Sequence, residues 1–165
     1  MDIITLPIEL LAKHDIDPRW LAGPFANLKA LPAKGKGKRF EQIAQAILES
    51  RGHAVARAAN KDHDRIVDGR KSEIKGSTIT KGSDDCFSFL QIRPAQDYED
   101  MILETFWFDG TIRFYRMDKA QVSTLVSQNI FVPQHGGKAG NSGTYSYNGN
   151  LDPFQTFFWF EIKVA

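Results

Sequence analysis

From Lys38 to Arg51 the apolar residues Phe40, Ile43, Ala44, Ile47 and Leu48 recur at intervals of three and four. That spacing puts them on one face of a helix, and Gly52 supplies a stop. Beyond it the pattern changes. "HAVARA" reads as a short strand, and "CFSFLQI" (Cys86 to Ile92) as a longer one ended by Pro94. The stretch from Gln96 to Asp118 places Asp109-Gly110 between two runs rich in β-branched and aromatic residues, which predicts a hairpin. Asp118 is placed to cap a helix running to about Gln128. Ahead of the first helix, "LPIELLAKH" reads as a short helix opened by Pro7. Pro18, Gly23, Pro24 and Pro32 break residues 17 to 36 into turns with room for one short helix, and "KGKGK" reads as a flexible basic loop. Residues 133 to 150, rich in Gly, Asn and Ser, read as an irregular loop. "FQTFFWFEIKV" closes the chain as a strand. Its consecutive Phe157, Phe158, Trp159 and Phe160 make both faces apolar, as in a central buried strand or at a dimer interface. The order of elements gives a mixed α/β domain, a central sheet flanked by helices.

Length and composition add bounds. A chain of 165 residues, 42% of them hydrophobic, fits one domain with one core. No apolar run approaches the roughly 20 residues that span a bilayer. The start, "MDIITLPIELLAKHD", has neither a basic leader nor a small-residue cleavage site. Cys86 is the only cysteine, which excludes an intrachain disulfide and a cysteine-rich zinc site; a reducing cytoplasm is expected. His14, His53, His63 and His135 are scattered and make no zinc spacing. Net charge is only +1, but basic residues outnumber acidic ones between Lys29 and Lys81. That excess suits either a polyanion or a solvated face.

The stretch "HDRIVDGRKSEIKGST" (His63 to Thr78) carries the chemistry. If Asp68-Gly69 forms a two-residue type I′ turn, Val67 faces Arg70, Ile66 faces Lys71 and Arg65 faces Ser72. One step further, Asp64 stands opposite Glu73, and cross-strand partners lie about 5 Å apart at Cβ. Lys75 shares the Glu73 face, one pleat on, while Ile74 points to a core. The same register puts Ile66 on the carboxylate face. Like charges facing each other repel, so a cation between them or a raised pKa on one is required. Mg²⁺ suits the first answer, because it needs only one or two carboxylates beside waters and a phosphate oxygen. The Ile74 carbonyl is a further candidate ligand. Lys75 is then placed to hold or help deprotonate an attacking water, or to neutralise charge on a phosphate. The bland alternative is a charged surface hairpin.

Asp64, Glu73 and Lys75 resemble the PD-(D/E)xK nuclease motif in the form of a type II restriction endonuclease, with His63 where that family often has proline. "GKRFEQIAQAILESRGHAV" (Gly37 to Val55) is similar to the helix before the motif hairpin, with Glu41 matching an acid often found there. "FSFLQIRPAQDYEDMILE" (Phe87 to Glu104) resembles the following strand and helix, and "QHGGKAGNSGTY" (Gln134 to Tyr145) a late loop. The resemblance runs from about residue 37 to 145. It implies a restriction-endonuclease-like mixed sheet flanked by helices, with a catalytic core at about 37–116. It also implies Mg²⁺-dependent cleavage of double-stranded DNA and a homodimer; from the hydropathy, no membrane partner is expected. Asp64 and Glu73 would bind metal, Lys75 would serve the water, and Glu41 would support the metal site or a second cation. Glu41 also reads as an ordinary solvated helix residue.

Around this core, Gln91 alternates with Phe87 and Phe89. It is placed to orient a water or Lys75, or else to be a buried glutamine bonded to backbone. Arg93 is a candidate phosphate contact. In the 133–150 loop, Gln134, His135, Lys138, Asn141 and Tyr145 are candidate base or backbone contacts, since Asn and Gln pair with adenine and Lys with guanine. Lys34, Lys36 and Lys38 are placed to clamp a phosphate backbone. Two other functions fit the same residues: a repair, junction-resolving or phage recombination nuclease, and a non-catalytic DNA-binding module.

Overall fold

The computed structural model describes residues 16–134 and 143–165. The expected helix at Leu6 to His14 and the loop residues His135, Lys138 and Asn141 lie outside them.

The apolar spacing after Lys38 does form a helix, but the helix begins earlier than the spacing indicates. Three helices open the described chain: α1 (Pro18–Leu21), α2 (Ala26–Ala30) and α3 (Ala33–Ser50). Residues 34–38, expected as a loop, are therefore the first turns of α3. Extended Pro32 stands at its N-cap, and Lys36 N–H donates to the Pro32 carbonyl at 2.9 Å. Gly35 and Gly37 each cost such a helix about 1 kcal/mol. Once the following turns are nucleated, extension is cheap, and α3 is anchored downstream by buried Phe40, Ile43, Ala44 and Leu48. The stretch before it was expected to hold turns and one short helix. It forms two, because Trp20, Phe25 and Leu28 all reach the core; Trp20 packs on Phe108 with ring centroids 4.5 Å apart.

Nine strands follow: β1 (Val55–Arg57), β2 (Arg65–Val67), β3 (Arg70–Thr78), β4 (Phe87–Ile92), β5 (Asp100–Phe106), β6 (Thr111–Asp118), β7 (Val132–Pro133), β8 (Tyr145–Gly149) and β9 (Phe158–Lys163). Six of them make the main sheet in the order β1-β2-β3-β5-β6-β9. Its β3–β5 pair is parallel and its other pairs antiparallel, so the sheet is mixed. The central strand β5 is buried along its whole length. β4, β8 and β7 form a second, three-stranded sheet. The expected α/β architecture, a mixed central sheet flanked by helices, is what the chain adopts.

Alternation along β3 assigns the layers. Gly76 meets α3 so closely that a Cβ there would lie 2.2 Å from Cγ of Phe40, whose ring stacks on Phe106 with centroids 5.2 Å apart. Ser77, on the opposite face, accepts a hydrogen bond from the Ser88 N–H of β4 at 2.9 Å. The main sheet is thus covered by α3 on one face and by β4 on the other. A Gly76→Ala substitution should lower stability by about 1–3 kcal/mol through overpacking, measured by denaturant unfolding; an unchanged midpoint would show that Phe40 moves aside freely.

Three expectations are corrected. The segment 93–104 holds no helix: Pro94 opens a turn, and residues from Asp100 onward pair in register with Asp118–Ile112 as β5. Their unbroken burial is that of a central strand. Residues 145–149 are not loop but β8, paired with β4 and β7, because buried Tyr147 packs on Phe154 and Phe131. β9 is not central but an edge strand beyond β6, preceded by a 3₁₀ turn over Asp152–Phe157. Phe160 stacks on Phe114, whereas Phe158 is 47% exposed. The Asp109-Gly110 hairpin forms as expected, and so does the capped helix after Asp118. That helix, α4 (Lys119–Ser127), carries a capping box between Asp118 and Gln121. No described helix is long and apolar enough to cross a membrane.

Candidate active site

The β2–β3 hairpin has the register that its turn chemistry dictates. Asp68 and Gly69 both have positive φ, 52° and 79°, as a type I′ turn requires. The Asp68 carboxylate is fixed from outside by His53 Nδ1 at 2.7 Å and by the Ala54 N–H at 3.0 Å. Val67 then pairs with Arg70, Ile66 with Lys71 and Arg65 with Ser72. β2 ends there, and the Asp64 N–H still donates to the Ser72 carbonyl at 3.0 Å.

The three motif side chains converge beyond that point. Asp64 Oδ2 accepts the Ile74 N–H at 2.7 Å, and Lys75 Nζ lies 2.8 Å from Glu73 Oε1. Burial pushes the Glu73 carboxyl up to about 7; the Lys75 ammonium opposes that rise, and the Asp64 charge adds to it. A carboxylate buried beside a second carboxylate is costly unless a cation joins them. In a strand, one residue's N–H and C=O point to the same edge. The Ile74 carbonyl therefore faces the Asp64 side, past the last β2 pair. Asp64, Glu73 and that carbonyl make a donor set of hard oxygens at one strand end. Among the described residues no group of three or more His, Cys, Asp or Glu side chains is arranged to hold a metal. Two carboxylates with a backbone oxygen are nonetheless what Mg²⁺ accepts, because it keeps much of its water. The residues present fit that ion.

Glu41 comes into the charge field of this group without touching it. Burial raises its pKa, as does the Asp64 charge, while Arg65 and Lys75 pull it down. Its direct partner is Arg65, whose guanidinium reaches Glu41 Oε2 at 3.1 Å, Gln45 Oε1 at 2.9 Å and the Asp64 carbonyl at 2.7 Å. Arg65 thus ties α3 to the backbone of the first acid, a role that the sequence pattern did not flag.

Two further groups escaped sequence reading. Tyr98, in the turn before β5, is buried with its hydroxyl unpartnered, and Glu73 lies in its field. Glu104 is fully buried on β5 opposite Gly76, with neither oxygen hydrogen-bonded. Burial raises its pKa well above the ordinary range, aided by Glu41. Spacing offered no hint of Glu104: it lies in "MILETF", where an isolated Glu reads as a surface position.

Among the described residues, no hydrogen bond or ion pair joins the outlying candidates to Asp64, Glu73 or Lys75. Gln91 does not share a face with Phe87 and Phe89. A bulge interrupts the β4–β8 pairing between Phe89 and Ile92, leaving Gln91 exposed at φ 56°. It is therefore neither buried nor in alternation. Its N–H is held by Gln134 Oε1 at 2.8 Å. Arg93 follows, exposed, and Tyr145 is half-buried on β8. Lys34 and Lys38 are exposed on α3, and Lys36 is half-buried, with its pKa lowered by that burial. None of these three lysines forms an ion pair with a described residue.

No protein-family model matches the chain. No curated protein matches it either. Among solved structures, a bacterial homing endonuclease, I-Ssp6803I, is similar over 77% of this chain and 86% of its own, with 14% identity and a TM-score of 0.47. At that score the likeness carries no weight for function, which rests on the hairpin alone.

Proposed function

We propose that this chain is a Mg²⁺-dependent DNA endonuclease of the PD-(D/E)xK type, cutting both strands of a specific duplex sequence as a type II restriction enzyme does. The observation that carries the reading is the meeting of Asp64, Glu73 and Lys75 at the open end of β2, with a lysine–carboxylate contact of 2.8 Å. A surface hairpin would leave those groups in water, whereas here the Glu73 side chain is 8% exposed and that of Lys75 18%.

Bound Mg²⁺ would polarise the scissile phosphate and make its coordinated water acidic. Asp64 and Glu73 would hold the ion, with the Ile74 carbonyl as a third protein oxygen. Lys75 would then leave Glu73 free for the metal and direct its ammonium at the water or the phosphate oxygens, where charge grows in the transition state. Glu41, fixed by Arg65, would hold outer-sphere water. Lys34, Lys36, Lys38 and Arg93 would supply phosphate contacts. Gln134, His135, Lys138, Asn141 and Tyr145 would make base or backbone contacts with the DNA. One such site cuts one strand, so a homodimer on a near-palindromic target follows.

Incubation of the purified protein with assorted unmethylated duplexes and Mg²⁺ should give discrete fragments that disappear with EDTA. Intact DNA throughout would overturn the reading. Cleavage of branched or damaged DNA without sequence preference would make it a repair or junction-resolving enzyme instead.

A further inference from the structure

Among the described residues, three non-glycine residues have positive φ: Asp68, Gln91 and Asn129. Two are explained by their places. Asp68 is the first centre of a type I′ turn, and Asn129 follows the end of α4, where a left-handed residue satisfies the last carbonyls. Both are also of the residue types that tolerate this conformation. Gln91 has neither excuse. It sits within a strand pair and its side chain offers no local compensation. A left-handed glutamine costs on the order of 1–2 kcal/mol relative to glycine, and such strain persists where surrounding structure enforces it, often at functional positions.

The enforcement is visible. Two β4 residues, Leu90 and Gln91, oppose the single β8 residue Ser146 between the pairs Phe89–Tyr147 and Ile92–Tyr145. The side-chain carbonyl of Gln134 then holds the Gln91 N–H at 2.8 Å. Bulges of this kind re-aim a side chain, and here the Gln91 amide is turned out to solvent with no hydrogen-bond partner among the described residues. β4 also crosses the face of the main sheet that bears Glu73 and Lys75. Thr80 N–H bonds to Cys86 O and Ser88 N–H to Ser77 Oγ, so the strand runs back from Ser77 toward Lys75 as it approaches the bulge.

We infer that Gln91 is a specificity residue: its amide, presented by the strained bulge on the catalytic face, reads an adenine edge in the major groove near the scissile phosphate. A glutamine amide offers one donor and one acceptor, which match adenine N7 and N6. Gln134 spends its side-chain carbonyl on the bulge, and its NH2 group, without a hydrogen-bond partner among the described residues, can face the same groove. This inference rests on the endonuclease reading above.

The test pairs Gln91→Gly with wild type. Glycine adopts φ 56° without strain, so Q91G should melt at the same temperature or higher. Both proteins are then given Mg²⁺ and a duplex library with randomised sites, and the cut ends are sequenced. Wild type should require adenine at one position of its site, and Q91G should lose about tenfold of that preference while keeping the others. Gln91→Asn, which also tolerates the conformation but is one methylene shorter, should show a smaller loss at the same position. A Q91G profile identical to wild type would overturn the assignment and leave the nuclease reading intact. A rate lowered equally on every sequence would overturn it too, reducing Gln91 to a backbone contact. A lower melting temperature for Q91G would overturn the strain argument. A wild-type protein that cuts nothing would overturn both readings together.

Discussion

Lys75→Ala should lower Mg²⁺-dependent cleavage by about 10²–10⁴-fold, the range expected when a group that moves or holds a reacting proton is removed. The same substitution should leave duplex binding nearly unchanged. The expectation follows from the 2.8 Å contact with Glu73 and from the position of Lys75 one pleat beyond Glu73 on β3. Among the described residues Lys75 makes one ion pair and no hydrogen bond to the core, so its loss should not unfold the hairpin. Glu73 is left without its counter-charge, and its pKa, already pushed up by burial, rises further without Lys75. Metal-free variant protein should therefore keep its fold by taking up a proton. Single-turnover cleavage beside a gel-shift titration in Ca²⁺ separates the two effects. A rate within threefold of wild type would remove Lys75 from the chemistry.

Glu104→Met should stabilise the fold by about 1–3 kcal/mol, the cost of burying an unsatisfied polar group. Glu104 has no exposure and no hydrogen bond, and it stands on β5 opposite Gly76, which packs on Phe40. The sign with pH can be worked out. Its folded pKa stands well above the ordinary 4.5, so the folded state binds more protons than the unfolded state. Its contribution is intact below about pH 4.5 and is lost progressively as pH rises toward the folded value. Wild-type stability should thus carry a downward slope above pH 4.5 that Glu104→Met lacks, and the gap between them should widen toward pH 8. Urea midpoints at pH 5 and pH 8 measure it. Equal gaps at both would show that Glu104 has a partner in solution.

The site's sequence pattern was legible because the hairpin encodes itself. Asp68-Gly69 dictates a turn, the turn dictates the register, and the register places Asp64, Glu73 and Lys75 within one short segment. α3 was legible in its apolar half and illegible in its first turns. Lys34 to Lys38 carry two glycines and no apolar stripe, and become helical only because Phe40 and its successors hold the rest down. The second sheet was hidden for a similar reason. Tyr145–Gly149 has weak strand character, and it pairs with β4, far back in the chain, while Tyr147 packs on Phe131 and Phe154. Gln91 shows the limit of alternation as a guide, since one bulge reverses which residues face out. Arg65 and Glu104 needed the third dimension altogether, because their relations to Glu41 cross from α3 to the sheet.

The two-residue loop at Asp68-Gly69 has a consequence for how such a chain can diverge. Strand-joining segments commonly drift in length, and the stretch from Ile79 to Cys86 has room to do so. Between Asp64 and Lys75 there is none: one inserted or deleted codon would swing the first acid to the far side of the pleat and leave the other two groups stranded. Relatives that keep the chemistry should differ freely in the letters of this segment and hardly at all in its count.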